Sequence, residues 1–179
     1  MAVDPERTFK PVSIAVLTVS DTRTLADDSS GAILCDRIKA AGHRLVERAI
    51  VKDEVPQIVS RLSTWIDDPA IDCVITTGGT GMTGRDVTPE ALERIRNEGG
   101  GKDIPGFGEL FRWLSFRSIG TSTIQSRACA IVTRGTYIFA LPGSNGAVKD
   151  GWDGILAEQL DSRNRPCNIV ELMPRLRET

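Results

Sequence analysis

The chain has 179 residues, a formal net charge of −2 and a pI near 5.5, so it lacks the basic field that general nucleic-acid binding requires. One histidine and four widely separated cysteines, Cys35, Cys73, Cys129 and Cys167, argue against a zinc centre. No signal peptide and no apolar run of membrane length is visible, so a cytoplasmic protein without membrane partners is expected.

The elements alternate along the chain. Ser13 to Ser20 (SIAVLTVS) reads as a first strand, and residues from about Ser30 to Ala41 as a helix ending at Gly42. Arg44 to Val51 is a second strand. Val55, Ile58, Val59, Leu62 and Ile66 then fall on one face of a helix. A third apolar strand begins at Cys73 and runs into the loop Gly78-Gly79-Thr80-Gly81-Met82-Thr83-Gly84-Arg85-Asp86. Thr88, Pro89 and Glu90 then open a helix, with Thr88 as its expected cap. Phe107, Leu110, Phe111 and Leu114 repeat the helical spacing. Arg127 to Thr133 and Thr136 to Leu141 read as a hairpin around Arg134-Gly135. Val148, Trp152, Ile155, Leu156 and Leu160 mark a last long helix. The expected fold is α/β, a three-layer αβα arrangement over a mostly parallel sheet with one short antiparallel hairpin. The whole chain, 1–179, reads as a single domain with flexible ends at 1–11 and 170–179.

Gly79, Gly81 and Gly84 spell G-x-G-x-x-G, but after the third strand and without an acid on a following strand, so a dinucleotide site is set aside. Glycines between a strand and a helix still let backbone N–H groups approach an anion. In such a sheet, ligands lie beyond the carboxyl ends of the parallel strands. Four segments meet there: Ser20-Asp21 with Ser30-Gly31, Lys52-Asp53-Glu54, the glycine loop with Asp86, and Pro142-Gly143-Ser144. Hydroxyls, N–H donors and carboxylates together suit a phosphorylated substrate with a divalent cation. Local structure offers competing roles. Asp53, Ser30 and Ser144 are good helix caps, Asp86 is a good turn residue, and Asp21 could pair with Arg23. His43 reads as a solvent-facing turn residue, and Trp65, Trp113 and Trp152 as packing residues.

Several motifs in order carry a resemblance. Val19-Ser20-Asp21 with Asp28-x-Ser30-Gly31, Thr77-Gly78-Gly79-Thr80-Gly81 with Arg85-Asp86-Val87-Thr88-Pro89-Glu90-Ala91, Pro105-Gly106-Phe107-Gly108-Glu109 and Leu141-Pro142-Gly143-Ser144 resemble the MogA/MoaB family of molybdenum cofactor biosynthesis. Ile119 to Arg127 and Gln159 to Asn168 resemble its MoaB branch. The resemblance implies a molybdopterin adenylyltransferase, with ATP and molybdopterin as substrates and Mg²⁺ as the cation. It places the two functionally critical aspartates at Asp53 and Asp86, both handling Mg²⁺ and nucleotide. Gly78, Gly79, Thr80 and Gly81 would cradle phosphate, and Ser20, Asp21, Ser30, Thr88, Gly143 and Ser144 would line the shared pocket. Glu109, Ser126 and Arg127 would serve the pterin side. Gly99-Gly100-Gly101-Lys102 reads as a mobile lid or a solvent loop. The family often has proline after Pro-Gly-Ser, whereas Asn145-Gly146 follows here. Implied partners are copies of the chain itself, as a trimer or a hexamer built as a dimer of trimers, and a downstream molybdate-insertion enzyme. A non-catalytic molybdopterin carrier on the same scaffold is the alternative.

Overall fold

The structure, a computed structural model, describes residues 3–178. Six strands form one sheet in the order β2-β1-β3-β6-β5-β4: β1 Ser13–Val19, β2 Arg44–Val51, β3 Cys73–Thr77, β4 Lys102–Asp103, β5 Cys129–Thr133 and β6 Thr136–Leu141. β2, β1, β3 and β6 are mutually parallel, and β5 and β4 run antiparallel at one edge. Every residue of β1, β3 and β6 is buried, as expected for parallel strands covered on both faces.

Alternation along the strands divides the core in two. Ile14, Val16, Ile75 and Phe139 face helices α1 (Ser29–Ala40), α4 (Pro105–Ile119) and α5 (Asn145–Gly151). Ala15, Leu17, Val74 and Ile138 face α2 (Val55–Ile66) and α3 (Thr88–Gly99). α5 continues through a π turn, Trp152–Leu156, into α6 (Ala157–Gln159). The expected three layers and antiparallel hairpin are therefore present. Arg134 (φ 48°) and Gly135 (φ 89°) both lie in the left-handed region, as the tight turn between β5 and β6 requires.

Three local expectations are corrected. His43 is 6% exposed, and its Nδ1 accepts a hydrogen bond from the Val12 N–H at 3.2 Å. Phe9 and Trp152 pack on its ring, and burial lowers its pKa. Trp113 is 56% exposed on α4, whereas Trp65 and Trp152 are buried. Gly99 to Lys102 form neither a lid nor a free loop. Gly100 (φ 63°) closes α3 and Lys102 starts β4, beside Thr133 and hence at the sheet edge opposite the carboxyl ends of the parallel strands. Residues of both end segments contact the body. Arg7 pairs with Glu171, the Lys10 N–H donates to Ser162 Oγ at 2.8 Å, and Val170 is buried.

Candidate functional site

The carboxyl ends of β1, β2, β3 and β6 converge on the loop that follows β3. Gly78 (φ 105°) presses against the Val19 carbonyl, where any side chain would collide with the backbone. Gly79 (φ 64°) comes so close to the second strand's loop that a Cβ there would lie 3.1 Å from Asp53 Oδ1. Gly143 abuts Gly78, and Thr77 Oγ1 donates to the Pro142 carbonyl at 3.0 Å, joining the β3 and β6 loops. Thr88 does not cap α3. Val87 precedes the helix without a side-chain cap, and Thr88 Oγ1 donates instead to the Gly78 carbonyl at 2.9 Å.

Arg127 holds the loop from its other end. Its Nε donates to the Gly81 carbonyl and its Nη2 to the Asp86 carbonyl, each at 2.6 Å, and it pairs with Glu90. The guanidinium expected on the pterin side is thus occupied with loop carbonyls. Asp86 turns inward: its Oδ2 accepts from the Thr83 N–H at 2.9 Å and Thr83 Oγ1 at 2.6 Å. Burial opposes ionisation of Asp86, but these bonds, the Gly81 N–H and the Arg127 charge leave its pKa below the usual carboxylate value. Its turn role is real.

Asp53 is held differently. Its N–H donates to Asp21 Oδ1 at 3.2 Å, and the Asp21 backbone N–H in turn acts on its carboxylate. It does not cap α2, which starts after Glu54. Burial, then the negative charges of Asp21 and Asp86, push its pKa up, against partial offsets from the Asp21 backbone N–H and the Arg85 charge. Asp21 does not pair with Arg23. Arg85 takes it, with Nε on Oδ2 at 2.9 Å and Nη2 on Oδ1 at 2.7 Å. Ser20 Oγ accepts from the Arg23 N–H at 3.2 Å, shaping the β1 loop.

α1 is capped by Asp28, not Ser30. Asp28 accepts from the Gly31 N–H at 3.0 Å, from Thr18 Oγ1 at 2.6 Å and from Arg48 Nη2 at 2.8 Å. Ser30 reaches across to the Gly143 carbonyl at 2.9 Å and Asn145 Oδ1 at 3.0 Å. Ser144 caps α5, accepting from the Ala147 N–H at 3.2 Å.

Beyond the glycine loop opens a cavity of about 340 Å³, lined by Thr80, Gly81, Ser126 and Ser144 together with Phe111, Ser115, Ser118, Ser122, Gln125 and Asp150. That volume suits a small-molecule site. The loop therefore has two faces: Gly79 meets the acids Asp53 and Asp21, while Thr80 and Gly81 meet a hydroxyl-rich pocket. Glu109 lies elsewhere, exposed in a separate hollow beside Arg112 and Cys129 at the β5 edge. The pocket serines of α4 were not anticipated. Their one signal is the i, i+3 spacing of Ser115 and Ser118, which puts two hydroxyls on one flank of α4; Ser122 follows in the 3-10 turn Gly120–Gln125. Among the described residues, no group of three or more His, Cys, Asp or Glu side chains forms a ready-made metal cage. None of their helices is long and apolar enough to cross a membrane.

A parallel α/β sheet with a glycine loop, acids and a hydroxyl pocket at its carboxyl edge defines a small-molecule-binding protein of the open-sheet class. Residues 15–162 match a family described as a probable molybdopterin binding domain. The chain is 49% identical over 161 residues to molybdenum cofactor biosynthesis protein B of Escherichia coli K12, covering 90% of this chain and 92% of that one. A crystal structure of a molybdenum cofactor biosynthesis protein B superposes with a TM-score of 0.84 at 34% identity, over 97% of this chain and 100% of the other. The tungsten cofactor synthesizing protein MoaB from Pyrococcus furiosus follows at 0.76 and 31%, over 94% and 99%. The chain belongs to the MogA/MoaB family of molybdenum cofactor biosynthesis proteins.

Proposed function

We propose that this protein transfers the adenylyl group of ATP to molybdopterin, acting in the cytoplasm with Mg²⁺. The terminal phosphate oxygen of molybdopterin attacks the α-phosphorus of ATP, and the bond to the leaving pyrophosphate breaks. A phosphate nucleophile is ionised at neutral pH, so no general base is needed, and the single histidine is buried away in the core. The chain's task is to align the two phosphates and to offset their charge. The observation that carries this reading is the two-faced glycine loop, which sets Asp53 on one side and the hydroxyl pocket on the other.

The residues fit a nucleotide-borne cation. Asp53 has an excess of negative charge around it, with Asp21 and Asp86 close enough to raise its pKa. Mg²⁺ keeps several waters and takes one or two protein carboxylates, so a cage of three acids is not required. Asp53 would hold it, with Asp86 assisting. When bound, Mg²⁺ neutralises charge on the phosphates and favours departure of pyrophosphate. Gly78 to Gly81 present the loop backbone to phosphate, and Thr88 and Arg127 keep that loop in shape.

One observation favours a second reading, a molybdopterin carrier: the Asp86 carboxylate is already satisfied by its own loop. Pyrophosphate release from Mg²⁺–ATP, with and without molybdopterin, separates the two. Release that requires molybdopterin and collapses in Asp53→Asn supports transfer; bound pterin without release, unaffected by Asp53→Asn, supports the carrier. The exposed apolar side chains Leu110, Trp113, Phe116 and Ile119 on α4, with Ile124 after it, support self-association, which we propose yields a hexamer made of two trimers.

A further inference from the structure

The hydroxyl pocket holds one charged side chain that adenylyl transfer does not use. Asp150, on α5, is half-buried, lines the pocket and makes no hydrogen bond or ion pair among the described residues. No lysine or arginine lines this cavity. A carboxylate without a cation beside it repels phosphate, so the phosphorylated ends of the substrates belong on the loop's other face, where the transfer reading puts Mg²⁺ at Asp53. The cavity takes the uncharged end of its ligand.

A carboxylate facing an otherwise neutral cavity is best met by two parallel N–H donors, one for each oxygen. The N3–H and 2-amino group of a 2-amino-4-oxopyrimidine ring form such a pair. Adenine instead sets its amino group beside the acceptor N1. The apolar surfaces of Ile119 and Pro142 suit the faces of a planar ring. Thr80 is a second polar feature of this lining. Its side chain is 2% exposed, its hydroxyl lacks a hydrogen-bond partner, and it lines the same cavity. We infer that Asp150 determines ring specificity, accepting the N3–H and 2-amino pair of a pterin and discriminating against adenine. The assignment of the ring to molybdopterin rests on the transfer reading; the donor-pair preference rests on the pocket alone.

Fluorescence titration of the full chain with pterin and with lumazine, which carries oxygen in place of the 2-amino group, tests this. The second carboxylate oxygen would face a carbonyl in lumazine, so the wild type should prefer pterin by about tenfold or more. Asp150→Asn presents one acceptor and one donor, and should lose that preference or shift it toward lumazine, with the KM for Mg²⁺–ATP in pyrophosphate release unchanged. Equal binding of the two rings by the wild type overturns the inference, as does an Asp150→Asn protein that keeps the wild-type preference. A raised KM for Mg²⁺–ATP with pterin binding untouched would place adenine in the pocket and also overturn it. Pterin selectivity lost in Asp150→Asn, in a protein that releases no pyrophosphate, would uphold the role of Asp150 while removing the transfer reading.

Discussion

Arg85 grips Asp21 at two points across 64 residues of chain, and the same Asp21 Oδ1 accepts the Asp53 N–H. The β1 loop, the β2 loop and the glycine loop are thereby linked through three charged residues, and their balance acts on Asp53. Removing the Arg85 charge takes away a neighbour that lowers the Asp53 pKa. Arg85→Ala should therefore move the acid limb of the pH–rate profile to higher pH, since the proposed transfer uses ionised Asp53. Asp21→Asn removes a raising charge and should move it the other way. Profiles of pyrophosphate release for the two variants check both directions; shifts of the same sign would refute the linkage.

Asp53 itself should trade stability for function. Its pKa is raised in the folded state, so the native protein holds that proton more tightly than the unfolded chain does. Ionised Asp53 thus opposes folding once the pH exceeds its unfolded value, and the penalty is complete above its folded value. Asp53→Asn should lose activity by about 100-fold or more. At neutral pH its Tm should rise, and below the unfolded carboxylate pKa the two proteins should melt alike. Calorimetry across that range measures the difference directly. A variant with unchanged or lower Tm at pH 7 would remove the charge argument.

Asp28 has the opposite sign. Its side chain has no solvent exposure, and burial opposes its charge. Arg48, Thr18 and the Gly31 N–H together outweigh that penalty and lower its pKa. The stabilisation it contributes is present above the unfolded pKa and is lost as pH falls through the lower folded one. Asp28→Ala should cost about 3 kcal/mol in urea denaturation, because it strands Arg48 and uncaps α1. Asp28→Asn keeps hydrogen-bonding capacity and should cost less.

These pairings mark the limit of what the sequence carries. The Arg44–Val51 strand, the α2 face and the hairpin at Arg134-Gly135 follow from local periodicity and turn chemistry, and the structure has them there. Thr88 fits a cap by local rules, but the nearby Gly78 carbonyl lay unpaired and claimed its hydroxyl. His43 follows a glycine, a good sign of exposure, until Phe9 folds over it. Asp21 has Arg23 two residues away, yet the two-point geometry belongs to distant Arg85. Serines on a helix read as solvent-facing, so Ser115 and Ser118 gave no warning that their flank lines a cavity. Each miss depends on a partner brought in by tertiary folding.

The Thr88 bond yields a prediction of its own. Thr88→Val keeps the shape but leaves the buried Gly78 carbonyl without this donor, costing about 1–2 kcal/mol. The glycine loop should loosen, lowering the rate of pyrophosphate release as well as stability. Thr88→Ser, which retains the hydroxyl, should recover most of both. Equal behaviour of the Val and Ser variants would mean that the bond does not shape the loop.

Assembly can be tested on α4. Leu110, Trp113, Phe116 and Ile119 present apolar surface on successive turns, and Trp113 carries Arg117 over its ring at 4.0 Å. So much exposed apolar area on one helix is expected to be covered in solution. Light scattering should give a mass near six times the 19.4 kDa chain. Trp113→Glu combined with Phe116→Glu buries two carboxylates in any interface built on this face and should yield smaller species. Trp113 lies outside the pocket lining, so a double variant that dissociates yet binds pterin normally would show a pocket complete within one chain. Loss of pterin binding on dissociation, with circular dichroism unchanged, would instead mean that assembly holds α4 and its serines in place. A wild-type mass of 19.4 kDa would end the hexamer proposal and leave this face in need of another partner.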